Sequence, residues 1–351
     1  MRSTRQGHGC DRSPAYAFVP RIRRVDTEGS EATRMVINIA RRVGRALLVI
    51  FLVTVAAVAL LSLAPGSVAT VILGENATAE AVADLNARLG LDQPLWRQYL
   101  DWVSAAARGD FGTSPITGQG VTDAILDRLP VTLQIAVMAL AIALIVSVLL
   151  AVVSASMPGR LVDRGISAVS SAFLSVPAFV AGPVLIYFLA LQLNWFPVSG
   201  WSHLEDGFWD SIRSAALPAI AISLTEIAAF HRILRADLIG TLNEDYVEAA
   251  RAKGMSRAYV MFRHALRPSS FSLVTVAGIN LGRLIGGTVV VETLFSLPGL
   301  GQLVASSITL RDVITVQGVV AFVAIVYVGV NMLVDVSYGL LDPRVRKAAR
   351  A

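Results

Sequence analysis

The sequence predicts an all-α membrane protein: six transmembrane helices, with a cytoplasmic helical hairpin between the fourth and fifth. Three observations carry that expectation. Of the 351 residues, 55% are hydrophobic and only 16% charged, against roughly 25% charged in an average soluble domain. Apolar runs recur that match the roughly 20 helical residues needed to cross a bilayer. The Lys and Arg residues fall mainly in every second loop.

Residues 1–34 form a basic extension rich in Arg, Ser and Gly, without apolar periodicity, and are expected to be disordered. Translation beginning at Met35 is a natural alternative, because "MVINIARRVGRALLVIF" is a short polar lead, arginines and an apolar span. The Arg41-Arg42 pair suggests a secretion signal, but the run after it is long and no small-residue cleavage site closes it. Residues 35–351 then read as one membrane domain. Its first span is 46–64.

The loop over 65–130 is long and acidic, with eight Asp/Glu against four Arg. After Pro94, Leu95, Tyr99 and Trp102-Val103 recur at helical spacing, with Trp96 beside them. Such a helix suits the membrane interface, where Trp and Tyr settle, or packs on the ends of the spans. Asn76-Ala77-Thr78 matches a glycosylation sequon, a pattern too short to carry weight alone.

Spans 131–157, 165–193 and 313–334 are uncharged. The fourth, 214–230, carries Glu226, and the fifth, 269–291, carries Arg283. A mid-membrane charge costs about 2.5–3.5 kcal/mol on insertion scales, which an otherwise apolar helix with protein neighbours absorbs. Ten Lys/Arg lie up to Arg45 and seven from Arg232 to Arg267, but only one between the third and fourth spans. By the positive-inside rule both termini and the loop over 240–268 are cytoplasmic. The net charge of +5 therefore lines the inner leaflet and needs no nucleic-acid partner.

The loop over 240–268 reads as two helices. Asn243 is the expected cap of the first, with Glu244 and Asp245 facing its positive end. Gly254 supplies a left-handed stop, Ser256 caps "RAYVMFRHAL", and Pro268 suits the first turn of the next span. Ala249 and Ala250 offer a small-residue face. Tyr246, Val247, Tyr259, Val260, Met261 and Phe262 are more apolar surface than a solvated connector needs, which points to a docking element.

Glu248-Ala249-Ala250, three residues, Gly254, nine residues and His264-Ala265-Leu266 closely resemble the EAA loop of ABC importer permeases. The wider context is similar to the dipeptide/oligopeptide subfamily: "GDFGTS" with "RLPVTLQIAV", then "LPAI", "EDYVEAARAKG", "ETLFSLPGLG" and "LLDPRVR", in order across residues 35–347. The resemblance implies a bacterial inner-membrane permease for peptides, with nickel chelates or glutathione as alternative cargo. It implies a coupling helix that meets an ATPase through Tyr246, Glu248, Ala249, Ala250, Gly254, Met255 and His264. The implied partners are a second homologous permease, two ATP-binding subunits, an extracytoplasmic solute-binding protein, membrane lipid and the peptide itself. Arg267 stands where the general motif has an apolar residue, and Glu226 and Arg283 where uncharged residues are expected.

No catalytic residue and no cofactor is assigned to this chain; ATP and Mg belong to the partner subunits. A P-loop needs Gly-Lys-Ser/Thr, and the two lysines, Lys253 and Lys347, sit in other contexts. Cys10 is the one cysteine, and four scattered histidines give no metal-ligand spacing. Glu226 and Arg283 are expected to pair and fix helix packing; contact with a charged peptide terminus is the other reading. Gly278, Gly282 and Gly286 form a small-residue stripe for close helix packing, against this chain or, as the subfamily's arrangement favours, the partner permease. An ion-coupled secondary transporter would show midplane carboxylates and an internal repeat, and a hydrolase a nucleophile and base at one depth. Only Glu226 and the interfacial His231 speak for these rivals.

Overall fold

The computed structural model describes residues 27–63 and 67–341. The expectations placed on residues 1–26 with Cys10, and on the tail from residue 342 with Lys347, lie outside them. Contacts divide the chain at Leu47. In the amino-terminal unit the described residues begin α1 (Thr27–Leu63), so the basic extension is already helical from Thr27. Everything that follows belongs to the second unit.

Beyond α1 come α2 (Val68–Leu73), α3 (Ala79–Arg88) and α4 (Leu95–Ala106), all within the expected extracytoplasmic loop. Next are α5 (Val121–Ser156), α6 (Leu161–Ser175), α7 (Ala178–Leu185) with a π-turn over Ile186–Gln192, and α8 (Phe208–Leu242). The chain closes with α9 (Asp245–Ala252), α10 (Arg257–Tyr259), α11 (Leu266–Gly287), α12 (Val289–Leu294), α13 (Leu300–Thr309) and α14 (Val313–Leu341). Among the described residues the one β-feature is a bridge between Thr113 and Gly120.

Among the described residues, four helices are long and apolar enough to cross a membrane, over 43–63, 121–156, 208–242 and 313–334; a fifth candidate is the bent pair of α6 and α7. The third expected span is therefore not one straight helix. The chain bends by 104° between its arms, because Val176, preceding Pro177, is held extended at φ −101° and ψ 109° and Pro177 caps the start of α7. The fifth expected span, α11, has 22 residues, enough for about 33 Å. Asn280, Arg283 and four glycines leave it short of the apolarity of the others.

The spine is α5 against α8. Gln134 Nε2 donates to Ser211 Oγ at 2.9 Å and Arg235 Nε to Ser154 Oγ at 3.1 Å, so the two helices run parallel and are tied at both ends. Between these ties small α5 residues, Ala139, Ala143 and Ala151, are fully buried and let Leu217, Phe230 and Leu234 of α8 fill the seam. Helix α11 lies antiparallel to α8, with Thr241 and Ser269 hydroxyls 2.9 Å apart at one end.

In α4 the inward face is fixed by polar tips. Tyr99 and Thr54 share a hydrogen bond of 2.8 Å, and Trp102 Nε1 donates to the Phe111 carbonyl at 3.1 Å. Leu95, Trp96 and Val103 point outward. The helix thus packs on α1 through Tyr99 and keeps an apolar outer face.

Candidate functional site

Residues 243–268 fold as two arms closed on one another. Helix α8 continues to Leu242, so Asn243 ends α8 instead of capping α9. The cap position falls on Glu244, extended at φ −75° and ψ 145°, with no side-chain hydrogen bond. Asp245 and Glu248 occupy the first turn, where carboxylates complement the helix dipole. Gly254 has φ +80°, and Met255 N–H returns to the Ala250 carbonyl at 3.3 Å, a closure that needs a left-handed residue. Ser256 Oγ accepts from Tyr259 N–H at 3.3 Å and starts the return arm.

That arm is not a separate short helix. It runs from Arg257 through a π-turn, Val260–Ala265, directly into α11. Pro268 has no N–H to give the His264 carbonyl four residues earlier. Tyr246 Oη donates to that carbonyl instead, at 3.2 Å, and so ties α9 to the return arm. The Tyr259 and His264 rings meet edge-to-face at 5.5 Å.

Burial divides the residues expected to dock. Val247, Ala250, Val260 and Met261 are buried within the chain, the first three forming a small core under the hairpin. The small-residue face therefore reduces to Ala249. What is presented outward is Ala249 and Glu248 with Tyr246, Met255, Tyr259 (50% exposed) and Phe262 (59% exposed). Behind the hairpin a cavity of about 930 Å³ opens between Val152 and Ala155 of α5, Ile239 of α8 and Phe262.

Between α8 and α11, the structure brings Glu226 and Arg283 together. Arg283 Nη2 donates to Glu226 Oε1, and Asn280 Nδ2 donates to Oε2 at 2.7 Å. The Glu226 side chain is 5% exposed and that of Arg283 61%. Gly278, Gly282 and Gly286 face α14 of the same chain, and not a partner: an added Cβ would lie 3.2 Å from Tyr327 at Gly282 and 3.2 Å from Val323 at Gly286. The stripe lets the β-branched valines of α14 lie on the α11 backbone.

Two polar knots were not anticipated. Glu292, fully buried, accepts from Thr132 Oγ1 at 2.8 Å, Thr288 Oγ1 at 2.6 Å, Gly301 N–H at 2.7 Å and Gln302 N–H at 3.1 Å. It anchors the free amides at the start of α13 and explains the glycines of "PGLG". At Gly301 a Cβ would stand 2.9 Å from the Val289 backbone nitrogen. Asp163 accepts from Arg235 Nε and Nη2, both at 2.7 Å, from Gly159 N–H at 2.7 Å, and from Ser154 Oγ. It clamps the turn before α6 to α8. The signal for the first knot was "ETLFSLPGLG" itself; for the second, an acid three residues past a short basic turn.

No cluster of three metal-ligating side chains exists among the described residues. The hairpin joins α8 to α11 and carries its exposed side chains on a hydrogen-bonded backbone.

Comparison with known proteins identifies the family. The family profile described as "Binding-protein-dependent transport system inner membrane component" matches residues 147–347, and its N-terminal companion matches residues 35–136. A probable peptide ABC transporter permease protein of Sinorhizobium fredii is 38% identical over 312 residues, 89% of this chain and 100% of the relative. The di/tripeptide transport system permease protein DppB of Pseudomonas aeruginosa is 38% identical, covering 88% of this chain and 98% of the relative. The glutathione transport system permease protein GsiC of Escherichia coli is 32% identical, covering 85% and 94%. This chain belongs to the binding-protein-dependent transport system inner membrane component family, the membrane permeases of ABC transporters.

Proposed function

We propose that this chain is one of two permease subunits of an ABC importer for short peptides, working by alternating access. Relatives named for peptide, di/tripeptide and glutathione transport, each aligned over more than four-fifths of this chain, support the cargo class. Helix α11 is read as the fifth of six spans, crossing beside α14, with both termini cytoplasmic. Two ATP-binding subunits hydrolyse ATP, and an extracytoplasmic solute-binding protein delivers the peptide.

The observation that carries the reading is the hairpin over 245–265. Tyr246, Met255, Tyr259 and Phe262 keep exposed apolar surface while the backbone beneath them is held by the Gly254 closure and the Tyr246–His264 bond. Apolar side chains on a braced mount fit a cleft in a partner subunit that changes shape with nucleotide.

The test is cysteine crosslinking in membranes between Ala249→Cys and the cleft of a co-expressed ATP-binding subunit, with Cys10 replaced. A crosslink whose yield changes with ATP is expected. A hairpin freely labelled by a water-soluble reagent in the assembled complex, without crosslinking, would sink the reading. ATPase activity that appears only on co-expression separates it from an ion-coupled transporter.

A further inference from the structure

On the extracytoplasmic side, α4 and the segment joining α13 to α14 enclose a second cavity of about 480 Å³, within the roughly 300–1,000 Å³ of small-molecule sites. Its wall differs from that of the neighbouring 470 Å³ groove, whose one charged lining residue is Arg283. Here Asp101 and Arg311 both line the cavity, and among the described residues neither pairs with an opposite charge. Asn86 and Gln317 line it too, and Asn86 Oδ1 and Gln317 Nε2 are buried without a hydrogen-bond partner.

Buried polar atoms left unpaired are costly. Asn86 Oδ1 and Gln317 Nε2 are an unpaired acceptor and an unpaired donor on residues lining one cavity, the complement of the N–H and C=O of an amide. The rest of the wall is braced: Tyr99 is bound to Thr54 and Trp102 to the Phe111 carbonyl. Arg311, at φ +62°, precedes Asp312, whose carboxylate takes Ser114 Oγ at 2.5 Å and Thr315 Oγ1 at 2.7 Å. The turn that carries the guanidinium is thereby fixed.

We propose that this cavity is a receiving site for a short peptide with free termini, on the outer side of the translocation path. Arg311 takes the terminal carboxylate, Asp101 the terminal ammonium, Asn86 and Gln317 the peptide bond, and Tyr99 and Trp102 the apolar flank. An amide group together with a free ammonium and a free carboxylate is the chemistry of a peptide; a zwitterionic lipid headgroup lacks the amide. The inference rests on the peptide-import reading and adds a permease site to it.

The test measures binding of radiolabelled trialanine, its C-terminal amide and its N-acetyl form to the full complex in nanodiscs, without the binding protein. Peptide uptake by the complete system is measured in parallel. Wild type should bind trialanine best. Arg311→Asn, which tolerates the backbone, should weaken the free acid about tenfold and leave the amide unchanged, the loss of one charge-assisted contact. Asp101→Asn should do the same for the free amine against the N-acetyl form, and Gln317→Leu should weaken all three. Absence of saturable binding, or equal losses for every form in the charge variants, would overturn the site while measured uptake keeps the peptide reading intact. Selective binding without uptake of any peptide would uphold the site and overturn the import reading.

Discussion

Glu226 on α8 and Arg283 on α11 face each other across the antiparallel pair, and Asn280, one turn before Arg283, donates to the second carboxylate oxygen at 2.7 Å. The buried partner is the acid; the guanidinium is largely open. Removing Arg283 therefore strands a carboxylate with one neutral donor, whereas removing both charges strands nothing. Arg283→Met should lower the yield of assembled complex on native gels several-fold, and Glu226→Gln with Arg283→Met should recover most of it. Equal damage from the single and double changes would count against the pair as a packing device.

The Glu292 knot separates charge from shape. A glutamine at 292 keeps an oxygen for Gly301 and Gln302 N–H, while the Thr132 and Thr288 hydroxyls can reverse and accept from its NH₂. Glu292→Gln should cost about 1 kcal/mol, and Glu292→Leu, which leaves four buried donors unpaired, more than about 3 kcal/mol. Thermal unfolding of the purified complex reads both. Similar losses for the two variants would mean that the negative charge, and not the hydrogen bonding, holds α13.

Asp163 and Arg235 form a forked contact with two bonds of 2.7 Å. A lysine at 235 is a point charge and cannot reproduce the fork. Arg235→Lys should retain part of the stability and Asp163→Ala little of it. A double-mutant cycle on the two positions should give a coupling energy of about 2 kcal/mol, the range for residues sharing one network. Additive effects would place the stabilisation elsewhere in the turn.

Local chemistry was legible where it is written in adjacent residues. The Gly254 stop and the Ser256 cap were readable, because a turn is specified within about five positions. Asn243 was displaced by one position because α8 runs on through Arg232 and Arg235, which hydropathy treats as the end of a span. The bend at Pro177 was hidden for a related reason: apolar runs on both sides sum to one span, and hydropathy carries no direction. Glu292 and Asp163 were missed because their partners Thr132 and Arg235 lie 160 and 72 residues away. Four-residue glycine spacing does not name the neighbour of the stripe, and α14 supplies it.

The bond from Tyr246 to the His264 carbonyl makes the sharpest prediction. Tyr246→Phe removes only the hydroxyl, and since the residue is exposed, water replaces part of the bond; stability should fall by less than about 1 kcal/mol. What is lost is the tie between α9 and the return arm, leaving the Val247, Ala250 and Val260 contact to transmit force. On the proposed role, ATP hydrolysed per peptide imported should rise several-fold with little change in complex yield. Pro268→Ala in the same chain supplies the N–H that proline withholds, and that N–H can donate to His264 in the ordinary helical pattern. If satisfying the carbonyl alone matters, the double variant should regain coupling. If the α9 tether matters, the double variant should stay uncoupled. Recovery would assign the Tyr246 hydroxyl to local repair of a proline-broken helix, and failure to recover would make it the strut that carries motion between the two arms.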